Sequence, residues 1–206
     1  MINIKENYLK KVIPLFLKSG YKNLPLGQNL VSRRLEYKNK FAIPRIDKVV
    51  INVGLGSFLK GDSAQKDLLE NIKKDLSLIT GQAAVQTKAR TSIAGFGTRK
   101  GQTLGLKVTL RGKRMTDFLS RFINVTLPRT KDFTGINSDA FDGYGNLTVG
   151  VKDHTAFPEI NIEHAAQHIK RTLGLEITIV TSAKDKKEGF VFLKTLGFPL
   201  QEEGKE

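Results

Sequence analysis

The 206-residue chain contains no cysteine and no tryptophan, only two methionines, and few acidic residues for its many basic ones. Without cysteine there is no disulfide scaffold, no thiolate metal site and no cysteine nucleophile. No apolar run approaches the length of a membrane span; the longest early one, residues 12–17, is interrupted by Pro14. The first residues lack the apolar stretch and small-residue cleavage site of a secretion signal, and they carry lysine and Glu6 where a transit peptide would carry arginine. A soluble, intracellular protein is therefore expected. With 39% hydrophobic residues, a packed core is within reach.

What the sequence does have is positive charge: 34 Lys and Arg against 20 Asp and Glu, a net charge of +14. The charge is segregated. Residues 81–131 hold 11 basic residues and one acidic residue, Asp117, whereas the region beyond them is net acidic. Such segregation points to a polyanionic partner, with a merely solubilising surface as the alternative.

The periodicity predicts helices over Ile4–Ser19 (its second half weakened by Pro14), Ser63–Thr80, Met115–Ile123 and Asp185–Leu196, and a short one at His164–Leu173. The third is expected to end before Pro128. Asp185 and Glu188 have the spacing of a capping box, and Gly197 and Pro199 that of a stop. Strands are predicted at Val49–Val53, Ala84–Arg90, Leu104–Arg111, Leu147–Val151 and Glu176–Thr181. The expected fold is α+β: a two-layer sandwich of one domain, 1–206, with a mainly antiparallel sheet, helices on one face and a basic, RNA-binding face on the other. An extra basic segment at about 24–43 and a Gly-rich loop region at about 128–160 embellish it.

Strand side chains alternate between faces. In the first strand this sets Val49, Ile51 and Val53 against Lys48, Val50 and Asn52. In the second it sets Val85, Thr87 and Ala89 against Gln86, Lys88 and Arg90. In the third, Leu104, Leu106, Val108 and Leu110 oppose Gly105, Lys107, Thr109 and Arg111. The polar set contains no carboxylate. Its cations suit phosphate, and its amides and hydroxyl suit sugar and base edges; an ordinary solvated sheet face is the alternative. Residues 91–103 form a connection longer than a hairpin needs. It carries Gly95, Gly97, Gly101, Phe96, Arg99 and Lys100, which fits close approach to a nucleic acid and stacking on a base, or else an uncommitted loop. Arg111, Lys113 and Arg114 open a helix, where cations oppose the dipole unless a phosphate binds there.

No catalytic centre assembles. Leu59 stands where a dinucleotide fingerprint needs its third glycine, and Gly112-Lys113 lacks the rest of a phosphate-binding loop. His164 and His168 have zinc-ligand spacing without the glutamate a zinc protease requires, and Asp139 and Asp142 have turn surroundings. No enzyme, metal or cofactor is expected. Nucleic-acid binding has two rivals. A nucleic-acid-modifying or phosphate-processing enzyme would need the missing acid, base or metal cluster. A cationic protein adsorbing to membranes or polyanions by charge alone would bind heparin and folded RNA alike.

Several segments together resemble bacterial-type ribosomal protein five of the large subunit: Ser92-Ile93-Ala94-Gly95-Phe96, Lys107 through Met115, Leu127-Pro128-Arg129, Asp132-Phe133-Thr134-Gly135, Phe141-Asp142-Gly143, Asn146, Phe157-Pro158-Glu159-Ile160 and Leu196-Gly197-Phe198-Pro199. The resemblance runs in order from about Tyr8 to Phe198. It implies a structural constituent of the large subunit that binds 5S rRNA in the central protuberance, contacts the P-site tRNA and bridges to the small-subunit head during translation. The implied rRNA-reading positions are Lys48, Asn52, Gln82 and Thr109 with Phe96 and Arg99. The face adds Gln86, Lys88, Arg90, Lys107 and Arg111. The implied tRNA-facing loop is Ala94, Gly95, Phe96, Gly97, Thr98, Arg99, Lys100 and Gly101, and the segment from Asp132 to Gly145 is the one facing the small-subunit head. Other implied partners are large-subunit rRNA, neighbouring proteins of the 5S particle and a small-subunit head protein, with no membrane. The implied location is the ribosome of the cytoplasm, a bacterial one being favoured over an organelle's. Between Tyr21 and Pro44 the chain carries about fifteen residues beyond the usual family pattern, expected to add rRNA contacts. Gly97 and Tyr144 stand where the family commonly has basic residues.

Overall fold

In the computed structural model, residues 2–17, 37, 39–56, 65–131, 133–160 and 173–201 are described. The expected basic segment falls outside them except for Tyr37 and residues 39–43, as do Leu59, Asp132, the start of the helix expected from Ser63, and His164 and His168 with the short helix expected there.

Five strands form one antiparallel sheet in the order β2-β3-β1-β5-β4. They are β1 (Ile46–Gly54), β2 (Val85–Lys88), β3 (Thr103–Leu110), β4 (Leu147–Val151) and β5 (Leu175–Thr181). One face is almost wholly aliphatic. Val49, Ile51, Val53, Leu106, Val108, Leu110, Leu147, Val149, Val151, Leu175, Ile177 and Ile179 are all buried there. Their period of two is the direct cause of the layering: a strand that puts every second residue in an apolar layer must turn the others outward.

Helices close that layer. The first, α1, starts as α-helix at Ile4–Asn7, widens into a π segment at Tyr8–Val12 and returns to α at Ile13–Leu17. Ile4, Val12 and Phe16 are buried beneath it. Proline was expected to weaken this helix. The ladder instead shifts: the Ile13 N–H donates to the Tyr8 carbonyl, five residues back. Pro14 lacks a donor and its ring crowds the carbonyl four residues before it, and a widened turn relieves both.

The second helix, α2 (Gln65–Thr80), buries Ile72, Leu76 and Ile79. The third, α3, repeats the arrangement of the first. It runs as α-helix over Gly112–Arg121, as π over Phe122–Thr126, and turns once more at Leu127–Arg129. It therefore passes through Pro128 and does not end before it. In both helices the π segment closes two residues ahead of the proline. Phe118 and Phe122 on α3 stack with Phe157, with ring centroids 5.9 to 6.3 Å apart. Arg121 ties the layer together: its guanidinium donates to the Ile79 carbonyl at the end of α2, at 3.1 Å, and pairs with Glu159.

The last helix, α4 (Lys186–Leu196), buries Phe190, Phe192, Leu193 and Leu196 and stops at Gly197, whose φ is 105°. The expected capping box does not form. The Asp185 side chain makes no cap bond. The Glu188 carboxylate accepts from the Lys184 N–H at 2.8 Å and from the Tyr37 hydroxyl. Glu188 is 1% exposed, and burial pushes its carboxyl above the usual range, opposed by the Lys184 bond. Burial of the side chain under Tyr37 is incompatible with the exposed, backward-reaching geometry of a box.

Two glycines lock the loop before β4 onto α4. Gly145 has φ +76°, a conformation that L side chains rarely adopt. A Cβ on Gly189 would lie 2.4 Å from the Gly145 carbonyl oxygen and 2.6 Å from its Cα. Gly189→Ala must therefore push the loop and helix backbones apart, and it should cost about 1–3 kcal/mol, read as a lowered urea midpoint. A second expectation concerns His154, 3% exposed, whose Nδ1 accepts from the Leu173 N–H at 3.2 Å. Burial pulls its pKa below 6.5, against the pull of Asp153 and Asp75. The unfolded chain takes up this proton first, so the contribution is present above pH 6.5 and is lost as pH falls through the depressed folded value. Stability measured by denaturant at about pH 7.5 and about pH 5 should fall less in His154→Asn than in the wild type.

Candidate nucleic-acid interface

The face of the sheet turned away from the helices is open, and the register decides what it carries. Facing residues of antiparallel neighbours lie on the same face, about 4.5–5.5 Å apart at Cβ. Asn52 on β1 faces Lys107 on β3 and Glu176 on β5. Val85 on β2 extends this row beyond Lys107, and Gly150 on β4 extends it beyond Glu176. The neighbouring row holds Thr148, Thr178, Val50 and Thr109. Next along β1 and β5 come Lys48 and Val180. Arg111, exposed and extended at φ −141°, continues the alternation of β3 past its end.

Thus Lys48, Asn52, Lys107, Thr109 and Arg111, expected on one face, are brought together there. Two expectations are corrected. The first is the sidedness of β2. Val85 is in register with Lys107, and Gln86 is in register with Leu106, which is buried under the helices. Val85 and Thr87 therefore stand on the open side and Gln86 on the helix side, the reverse of the alternation expected. Val85 is 68% exposed, and Gln86 meets the Thr103 hydroxyl at 3.4 Å. A four-residue edge strand buries too little for hydrophobicity to decide its sidedness, so pairing with β3 decided it. Lys88 and Arg90 are exposed beyond a register shift between Thr87 and Lys88.

The second correction is that the open face does carry a carboxylate. Glu176 accepts from Asn52 Nδ2 through Oε2 at 3.2 Å. The period of two in β5 marks Glu176, Thr178 and Val180 as outward-facing. The sequence could not show that β5 pairs with β1 and so brings Glu176 beside Asn52.

Gln82 lies just after α2, half-buried, and its Oε1 accepts from the Arg114 guanidinium. This joins the turn before β2 to the cationic start of α3, where Arg111, Lys113 and Arg114 are exposed and the first turn holds no acidic residue. The end of β1 sets the spacing of this region. A Cβ on Gly105 would meet the Val53 carbonyl oxygen at 2.4 Å, so only glycine allows β3 to approach β1 there.

The connection from β2 to β3 is a built hairpin and not an uncommitted loop. Ile93 and Thr98 exchange backbone hydrogen bonds of 3.1 and 3.2 Å. A 3-10 turn at Ala94–Phe96 ends in Gly97 at φ +62°. Below the tip, the Lys100 N–H donates to Ser92 Oγ at 2.9 Å, and the Arg99 N–H donates to Gln102 Oε1 at 2.9 Å. Every residue from Ala94 to Gly101 is exposed except Thr98, which is half-buried, and Phe96 is 74% exposed at the tip. A Phe at that exposure is held by the turn and not by packing. Tyr144, also 74% exposed, is presented the same way: the Asp142 carboxylate accepts from the Tyr144 and Asn146 N–H groups at 2.9 and 2.8 Å. Desolvation raises the Asp142 carboxyl, but the hydrogen bonds from Asn146 and Tyr144 together hold it below its usual range.

Electrostatically the region is unbalanced. Among the described residues, Lys48, Lys88, Arg90, Arg99, Lys100, Lys107, Arg111 and Lys113 take part in none of the Lys and Arg ion pairs, which lie at Lys10, Arg45, Arg121 and Lys186. Unpaired cations set beside amides and hydroxyls on a rigid sheet are suited to binding and orienting a polyanion. Among the described residues no helix is long and apolar enough to cross a membrane.

Comparison with known proteins accords with this arrangement. Residues 39–99 match the family profile described as Ribosomal protein L5, and residues 103–200 match the profile for the C-terminus of the same ribosomal family. The first match covers β1 and β2 and the second covers β3 to β5, so the two meet within one sheet. The chain is 39% identical over 201 residues to the large ribosomal subunit protein uL5 of Syntrophomonas wolfei, covering 98% of this chain and 100% of that one. It is 42% identical over 200 residues to that of Kosmotoga olearia, covering 97% of each, and 45% identical over 169 residues to that of Halothermothrix orenii, covering 82% and 90%. The open basic sheet and these full-length similarities have one explanation: the chain belongs to the ribosomal protein L5 family, structural and non-enzymatic constituents of the large ribosomal subunit.

Proposed function

We propose that the open sheet face and the hairpin beside it bind 5S rRNA in the central protuberance. The observation that carries this reading is the cluster of unpaired cations, Lys48, Lys107 and Arg111, on one face with Asn52 and Thr109. Lys and Arg neutralise phosphates and supply affinity; Asn52 and Thr109 supply orientation and discrimination through sugar hydroxyls and base edges. Arg90, Lys88 and the start of α3 extend the cationic track. Gln82, held by Arg114, orients that track and contacts RNA at its margin. Gln86, on the helix side of β2, supports the edge through Thr103.

The hairpin Ala94–Gly101 faces the P-site tRNA in this reading. Phe96 stacks on a base or ribose, and Arg99 and Lys100 meet the backbone. Gly97 in place of a basic residue is accounted for by its positive φ, which closes the turn. Residues 133–145 face a small-subunit head protein, with Tyr144 contributing an aromatic contact where a charge is common in the family. Neighbouring proteins of the 5S particle and large-subunit rRNA complete the surroundings.

Binding to 5S rRNA, measured by filter retention or fluorescence, tests the reading. Asn52→Ala and Thr109→Ala should each weaken it by about 1–3 kcal/mol, the cost of leaving a polar partner unsatisfied. Wild-type affinity in both would remove the proposed contact surface. Lys107→Ala should reduce the slope of log affinity against log salt by about 1, whereas Asn52→Ala should leave the slope unchanged. Equal affinity for heparin and 5S rRNA at matched charge would favour adsorption by charge alone.

A further inference from the structure

A carboxylate in the middle of a surface suited to phosphate needs a physical reason, because it repels the ligand its neighbours attract. Glu176 is exposed, and among the described residues it forms no ion pair with Lys107, two strands away. Its hydrogen-bond partner is neutral: Asn52 Nδ2, at 3.2 Å. The register sets the three side chains in a straight row across β5, β1 and β3, in the order Glu176, Asn52, Lys107. At about 5 Å per step the row spans roughly 10 Å. It runs from acceptors at one end to donors at the other.

A carboxylate offers about four lone-pair sites on two oxygens, so the bond from Asn52 leaves Glu176 free to accept more. The second N–H of the Asn52 amide and the Lys107 ammonium remain as donors. Among the RNA bases, only guanine presents two adjacent N–H donors on its Watson–Crick edge, N1–H and N2–H, with an acceptor, O6, beside them. Adenine and cytosine set a ring-nitrogen lone pair next to the amino group, which would face the carboxylate. Uracil has a single N–H between two carbonyls. Unpaired bases are the ones whose Watson–Crick edges a protein can reach.

We infer that this row reads an unpaired guanine in the bound RNA: Glu176 accepts from N1–H and N2–H, while Asn52 and Lys107 donate to O6. The inference rests on the proposed binding of RNA to this face and names what that face selects. Glu176 then adds discrimination at one nucleotide and little general affinity, the opposite of what Lys107 does.

The test uses the full-length protein and 5S rRNA in which inosine, lacking the N2 amino group, replaces guanosine at random single positions. Bound and free RNA are separated and the substitution is mapped in each. With the wild type, inosine at one unpaired guanosine should be depleted from the bound pool by about tenfold, the effect of one hydrogen bond to a charged group. With Glu176→Ala that depletion should vanish, and unsubstituted RNA should bind more weakly than to the wild type. Glu176→Ala binding unsubstituted RNA as tightly as the wild type or tighter would overturn the inference, as would a depletion that persists unchanged in the variant. A shift in the magnesium dependence of Glu176→Ala with no guanosine singled out would assign the carboxylate to a hydrated cation and overturn it too. If wild-type protein binds and Lys107→Ala weakens binding while inosine is silent everywhere, the guanine row alone falls. If wild-type protein does not bind 5S rRNA, the reading of the whole face falls with it.

Discussion

The structure depends on one strand being paired on both sides. β1 sits at the centre of the sheet, and its register with β3 and β5 sends Val49, Ile51 and Val53 into the apolar layer and Lys48, Val50 and Asn52 out of it. Because the side-chain period is two, a slip of one residue would exchange these sets and drive Lys48 and Asn52 under the helices. The buried layer therefore fixes the geometry of the polar one. The absence of side-chain volume at Gly105 lets the neighbouring backbone close on β1 where the sheet begins to open towards the hairpin.

The helical layer is stabilised largely by apolar burial, with polar groups placed where they join elements. Arg121 satisfies a carbonyl at the end of α2 and pairs with Glu159; Glu188 draws Tyr37 and the Lys184 amide together over α4. These are acidic and basic residues that the helix side consumes. Cations outside the ion pairs also occur on the helices, Lys11, Lys73, Lys74 and Lys187 among them, but the sheet face, the hairpin and the start of α3 group Lys48, Lys107, Arg99, Lys100, Arg111 and Lys113 in one region. The basic middle portion is thus left largely unneutralised, while the net-acidic C-terminal portion supplies Glu159 and Glu188 to the helix side and Glu176 to the sheet face. Cations left unpaired have a physical use, since a surface already paired with carboxylates would have to break those pairs to bind a polyanion.

The exposed aromatics follow the same logic. Phe96 and Tyr144 stand on turns held by backbone geometry and side-chain hydrogen bonds, so their rings need no packing to keep their place. A ring presented in that way is available to a second surface at little conformational cost.

The sequence by itself determined the class of fold, the central strands and their sidedness, and the identity of the family. Long aliphatic alternation in β1 and β3 has one low-energy arrangement, and ordered motifs over most of the chain are specific. It determined the basic character of the middle region for the same reason, because charge is a property of composition. Only the tertiary structure decided the sidedness of β2, the pairing of β5 beside β1 that carries Glu176 to Asn52, the passage of two helices through their prolines by π turns, and the diversion of Glu188 from a cap to a buried bond with Tyr37. Each of these depends on packing against elements distant in the chain. A four-residue edge strand, a lone carboxylate and a proline within a helix have several acceptable local solutions, and the packing of the remaining elements selects among them.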